Sequence, residues 1–140
     1  MRTLLDLQIT RDLSRDSGLS ETDYDVLSTL SEKPESQWRA RDLAGQLLWS
    51  TSRLAHHVGR MEQRGLVARQ ACADDARGAL ISLTAQGRAI LRKAAPPHVA
   101  SVRRHMIDLL TDDEIAALDT IAAKVITQLA GQVGDDLPPR

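Results

Sequence analysis

Aromatic side chains are almost missing from this 140-residue chain: they make up 2% of it, and phenylalanine is absent altogether. A core must therefore be assembled from Leu, Ile, Val, Ala and Met, and the 42% apolar content is enough for one compact domain with or without extra arms. There is one cysteine, Cys72, so no disulfide can close within the chain. No apolar run approaches the roughly 18 residues that a membrane span requires. Met1 to Asp6 lacks the charged, apolar and small-residue regions of a secretory leader, and a cytoplasmic protein without membrane contact is the expectation.

Catalytic signatures are equally scarce. The sequence holds no glycine-rich phosphate loop, no nucleophile elbow and no zinc-hydrolase pattern. The adjacent carboxylates Asp74-Asp75 and Asp112-Asp113 are accounted for by a turn and by a helix N-terminus. His98 and His105 stand seven apart, two turns along one helix face, and supply two ligands where zinc takes three or four. His56 and His57 are neighbours and point apart. Neither an enzyme nor a metal or cofactor is expected.

What the chain does have is an uneven charge distribution. The net charge is −1, yet residues 39–105 hold twelve cations against four anions, a balance of +8 that leaves −9 for the two ends. A basic middle between acidic ends points to a polyanion as partner of the middle alone. Chance clustering on a solvated surface is the plainer alternative.

Periodicity divides the chain into helices around one short β segment. Leu4, Leu5, Ile9 and Leu13 have helical spacing, broken by Ser17-Gly18. Ser20-Glu21-Thr22-Asp23 reads as a capping box opening a short helix with Tyr24, Leu27 and Leu30 on one face, ended by Lys33-Pro34. Gln37-Trp38-Arg39 reads as a link to a third helix, Ala40 to Leu48, and Leu48-Trp49 as a turn. Ser50 caps a fourth helix from Thr51 to Gln63, with Leu54, Val58 and Met61 inward and Gly65 as its stop. Residues 66–70 and 79–83 read as two strands joined by a turn at Asp74, Asp75 and Gly78. Thr84 caps a long helix in which Pro96-Pro97 predicts a break or kink, with helix resuming from about Pro97 to Leu110. Thr111-Asp112-Asp113-Glu114 is a second capping box, before a broad stripe from Ile115 to Leu129, and Gly131 through Arg140 reads as a frayed tail.

Two short helices, a tight turn and then a hairpin are the order of a winged helix-turn-helix. The fold class expected is mainly α with a small β-hairpin wing, a winged helix-turn-helix flanked by terminal helices. The fourth helix would enter a DNA major groove by its N-terminal part. Its face opposite the core carries Thr51, Ser52, Arg53, His56 and Arg60, with Ser50 at the cap. Hydroxyls and free N–H groups at a helix start can donate to phosphates, and an Arg can read guanine through two parallel hydrogen bonds. His57 lies toward the apolar side and reads as a structural histidine.

The stretch Asp42-Leu43-Ala44, Ser50 and Arg60 through Arg69 resembles the helix-turn-helix core of MarR regulators. Asp75-Ala76-Arg77, followed by Leu83-Thr84-Ala85-Gln86-Gly87-Arg88, is similar to the wing of that family and the start of its next helix. The resemblance implies that Arg77 reaches into the minor groove and that Asp75 holds it, or a neighbouring Arg, by a charge-assisted hydrogen bond. It also implies a homodimer on double-stranded DNA with a near-palindromic site, commonly as a repressor released by a small aromatic or phenolic effector. Residues 1–19 would be an N-terminal dimerisation helix, 20–92 the DNA-binding domain, 93–132 C-terminal dimerisation helices and 133–140 a flexible tail. Two alternatives stand beside this reading: a redox sensor using Cys72, whose pKa nearby Arg69 and Arg77 could lower, and a winged-helix module that binds protein.

Overall fold

The computed structural model describes residues 1–33, 35, 37–72 and 75–136, with the side chains of 2, 72, 75–77 and 131–136 left aside. Its chain forms two units, Met1–Ser101 and Val102–Arg140.

In the first unit, α1 (Arg2–Ser17) ends where Gly18 turns left-handed. α2 (Glu21–Ser31) opens with both limbs of the expected capping box: Asp23 N–H donates to Ser20 Oγ at 3.1 Å, and Ser20 N–H to Asp23 Oδ2 at 3.2 Å. α3 (Ala40–Gln46) and α4 (Thr51–Gln63) form the helix pair. Ser50 Oγ accepts from Arg53 N–H at 3.1 Å, which fixes the start of α4 where the sequence put it. After α4 the chain reverses at Gly65, φ 72°, a conformation that a residue without Cβ adopts at no steric cost.

The sheet has three strands, one more than the sequence suggested. β1 (Gln37–Arg39) is an edge strand where a link was expected. It pairs antiparallel with β3 (Asp75–Leu83), Trp38 opposite Ile81, and β3 pairs with β2 (Val67–Cys72), Val67 opposite Leu83, giving the order β1-β3-β2. Three residues are too few to display a period, so only pairing could reveal β1. The wing strands are longer than expected. Gly78 lies within β3 and not in the turn, and an irregularity between Ala71 and Cys72 shifts the register toward the tip. Asp74, expected in the turn, lies outside the described residues.

The core is aliphatic, as the lack of aromatics required. Leu27 and Leu30 of α2, Leu43 of α3, Leu54, Val58 and Met61 of α4, and Val67 and Ile81 of the sheet are all buried. α4 thus buries the i, i+4, i+7 set read from the sequence and leaves its other side free.

α5 (Ala85–His105) is one helix with Pro96 and Pro97 inside it, which corrects the expected break and the expected resumption to Leu110. The two prolines deprive the Arg92 and Lys93 carbonyls of their donors. Both residues are exposed, so water can serve those carbonyls, while buried Leu91, Ala94 and Ser101 hold the helix in place on either side.

In the second unit a 3-10 turn (Ile107–Leu109) precedes α6 (Asp112–Asp136). Its capping box is formed: Thr111 N–H donates to Glu114 Oε2 at 2.8 Å and Glu114 N–H to Thr111 Oγ1 at 3.3 Å. α6 runs past residue 133, where a tail was expected to begin, and 137–140 lie outside the described residues. Among the described residues no helix is long and apolar enough to cross a membrane.

Candidate nucleic-acid interface

The site grows from the start of α4. Because Leu54, Val58 and Met61 are fixed in the core, Ser52, Arg53, His56 and Arg60 turn away from it and Thr51 sits in the open first turn; all five are exposed, as is Ser50. The structure therefore leaves exposed the six residues that the sequence nominated on this helix and its cap. The amides of a first helical turn lack intrahelical acceptors; Ser50 satisfies that of Arg53.

Arg53 does not stand alone. Its guanidinium lies 4.3 Å over the ring centroid of Trp49, a cation–π stack that narrows where the fork can point. The Trp49 ring in turn meets the edge of His57, centroids 5.7 Å apart. Trp49 was not among the nominated residues, and a tryptophan in a turn gives no sequence signal for stacking on the residue four positions on.

Beneath this face sits a charged cluster. Asp23 is 3% exposed and receives Arg64 Nη1 at 2.8 Å. His57 Nε2 stands 3.2 Å from Asp23 Oδ1, close enough to feel the charge though off the line of a directed hydrogen bond. Arg60 Nη2 lies 2.9 Å from His57 Nδ1. A guanidinium can only donate, so Nδ1 accepts and the imidazole proton is on Nε2, facing the carboxylate. Burial pushes the His57 pKa below its ordinary 6.5; Asp23 opposes that shift and Arg60 adds to it. Burial pushes Asp23 the other way, but the hydrogen bonds from Arg64 and Ser20 outweigh it and hold the carboxyl below 3.8. His57 is buried, in line with the structural role read from its helical phase.

An open cleft of about 580 Å³ adjoins this cluster, lined by Ser14, Ser20 and Thr22 from the α1 and α2 ends and by His57, Arg60 and Arg64 from α4. Arg69 ties β2 to α4: its guanidinium donates to the Ala55 carbonyl at 3.2 Å and its backbone N–H to Glu62 Oε1 at 3.2 Å. The wing is thereby anchored to the back of the helix it flanks. The side chains of Asp75, Arg77 and Cys72 lie outside the described residues, so the minor-groove and redox expectations concern groups the structure does not describe. Among the described residues no cluster of three or more His, Cys, Asp or Glu side chains could hold a metal ion.

The comparisons with known proteins agree with this architecture. The MarR family model matches residues 19–78. AbsC, a MarR family transcriptional regulator from Streptomyces coelicolor, is 42% identical; the match covers 93% of this chain and 87% of that one, with a TM-score of 0.86. Sco3205, a MarR family transcriptional regulator from the same organism solved in complex with DNA, is 38% identical over 91% of this chain and 80% of its own, with a TM-score of 0.85. The HTH-type transcriptional regulator MhqR of Bacillus subtilis (strain 168) is 26% identical over 98 residues. That match spans 70% of this chain and just under two thirds, 66%, of MhqR.

Proposed function

Since this chain belongs to the MarR family of transcriptional regulators, we propose that it binds near-palindromic operator DNA as a homodimer and represses transcription until a small aromatic or phenolic effector releases it. It is a regulator and not an enzyme. The observation that carries the DNA reading is the exposed start of α4, where Ser50, Thr51, Ser52, Arg53, His56 and Arg60 are all open to solvent on a helix anchored in the core by Leu54, Val58 and Met61. Sco3205, with DNA in its structure, supports the same reading here. Hydroxyls and first-turn amides would position the helix on phosphates, and Arg53, held over Trp49, would read a base edge. Arg77 on the wing would enter the minor groove, with Asp75 orienting it. Work on chromosomal DNA fits a cytoplasmic protein.

The effector half of the proposal rests on the family membership; the open cleft, which touches the end of α1, the start of α2 and the side of α4, is one place where a ligand could act on these helices. A ligand that bound one arrangement of these helices better than another would shift the spacing of the two recognition helices.

The test is a mobility shift of the purified protein on the DNA flanking its own gene, at two salt concentrations. A discrete complex that weakens steeply with salt is expected. Arg53→Ala should lose roughly 5–100-fold in operator affinity and relax specificity at one position, as for the loss of a base-reading fork. Arg77→Ala should weaken binding with the dimer intact. If binding is sequence-blind at physiological salt and selection from random DNA finds no site, the DNA reading is wrong.

A further inference from the structure

The turn between α3 and α4 carries two unfavourable features on one residue. Leu48 has φ +55°, among the described residues the only non-glycine with positive φ. Its side chain is also 66% exposed. The backbone has a clear reason for this conformation. Trp49 N–H reaches back to the Ala44 carbonyl at 2.9 Å and Leu48 N–H to the Gly45 carbonyl at 3.1 Å, the two bonds of a Schellman ending for α3. That ending calls for a left-handed residue at position 48, and glycine adopts it without the Cβ clash. The geometry explains the turn but not the leucine, which burial in this chain does not repay.

The surroundings say what repays it. Leu48 is the third residue before Thr51, so its Cα is within roughly 10 Å of the helix start that faces DNA in the proposed function. From Leu43 to Met61 there is no acidic residue, while Arg53 and Arg60 supply positive charge. An exposed apolar side chain inside an acid-free cationic segment suits a partner that is polyanionic and also offers apolar surface. Duplex DNA has both. In the proposed docking the base edges would lie in front of the helix N-terminus, and the turn outside it would face the sugar–phosphate strand that rims the groove.

We infer that Leu48 is a DNA-contact residue that packs on deoxyribose of the strand bordering the major groove, adding affinity at the cost of an unfavourable turn. This rests on the DNA-binding reading above. Sugars carry no sequence, so the contact should strengthen operator and non-operator binding alike.

The experiment compares wild type, Leu48→Gly and Leu48→Asn, both of which accept the left-handed turn. Each should have an unchanged or slightly raised Tm and the wild-type oligomeric state by sedimentation. Each should bind operator about tenfold more weakly, the factor expected from losing most of a leucine's apolar burial. The salt slope should be unchanged, because no ion pair is lost. Replacing operator thymines by deoxyuridine should leave the wild-type-to-variant ratio as it was. Equal affinity of wild type and both variants would overturn the inference, as would a fall in Tm or loss of the oligomer, which would make Leu48 structural. A ratio that collapses on deoxyuridine DNA would move the contact to thymine methyls and refute the sugar assignment. If the wild type itself binds no specific DNA, it is the regulator's DNA reading that fails, an outcome separate from these.

Discussion

Asp23 shows how much a single side chain has to do at the base of α4. It caps α2 through Ser20, receives Arg64 from the far end of α4 and faces Nε2 of His57. A carboxylate buried this deeply is tolerable because Oδ2 accepts from Ser20 and Arg64 and Oδ1 faces the His57 ring. Asp23→Ala should therefore destabilise by about 2 kcal/mol in chemical denaturation, below the ~3–5 kcal/mol of a fully buried pair because Arg64 is half-exposed. The pH dependence has a definite sign. The folded pKa of His57 lies below the unfolded 6.5, so the unfolded chain takes up the proton first and stability falls as pH drops from about 6.5 toward the folded value. The folded pKa of Asp23 lies below 3.8; its contribution is present above 3.8 and is lost as pH falls through the folded value. His57→Gln should remove the first of these two declines and leave the second, read as Tm against pH. The sequence disclosed Asp23 as a cap, because a capping box is local, and His57 as inward, because helical phase is local. The bond from Arg64, 41 residues away, is a property of packing and had no local signal.

Among the elements, the joint between the end of β3 and the start of α5 is the tightest. Thr84 Oγ1 donates to the Gly65 carbonyl at 2.6 Å and accepts from Gly87 N–H at 2.9 Å, so one hydroxyl caps α5 and pins it to the chain leaving α4. Gly87 is there because a Cβ would stand 2.0 Å from the Leu66 carbonyl oxygen, a backbone atom with no rotamer to yield. Gly87→Ala should cost at least ~3 kcal/mol, since relief requires moving a helix off a sheet, and Tm should fall by roughly 6 °C or more. An unchanged Tm would mean that α5 is free to shift. The motif containing Gly87 was visible in the sequence, whereas the reason for it required the approach of helix to strand. The same contrast separates what was readable here from what was not. α4 was placed to the residue because its cap, its stripe and its terminal glycine agree. β1 has too few residues to carry a pattern, and α5 passes through Pro96-Pro97 because packing on both sides outweighs the local preference against it.

At the scale of the whole molecule the remaining feature is α6. Ile121 is 59% exposed, Val125 50%, Ile126 64% and Leu129 51%, on a helix whose apolar stripe the sequence made conspicuous. Apolar positions recurring at this spacing and left open to water are a cost to a monomer, and in the proposed homodimer they would be the seam. The acidic ends and basic middle suit the same proposal, because a dimer formed through the ends would leave the basic middle to the polyanion. Replacing Leu118 and Val125 together with Glu should split the proposed dimer in sedimentation while leaving the α2–α4 core folded by circular dichroism. Operator affinity should then fall far more than non-specific affinity, because two half-sites would no longer be bound by one linked pair of recognition helices. A variant that stays dimeric would move the seam elsewhere, and α1, with Leu4 and Leu7 exposed, would be the next element to test. A variant that becomes monomeric yet keeps operator affinity would separate dimerisation from recognition, and the two-half-site part of the proposal would fall.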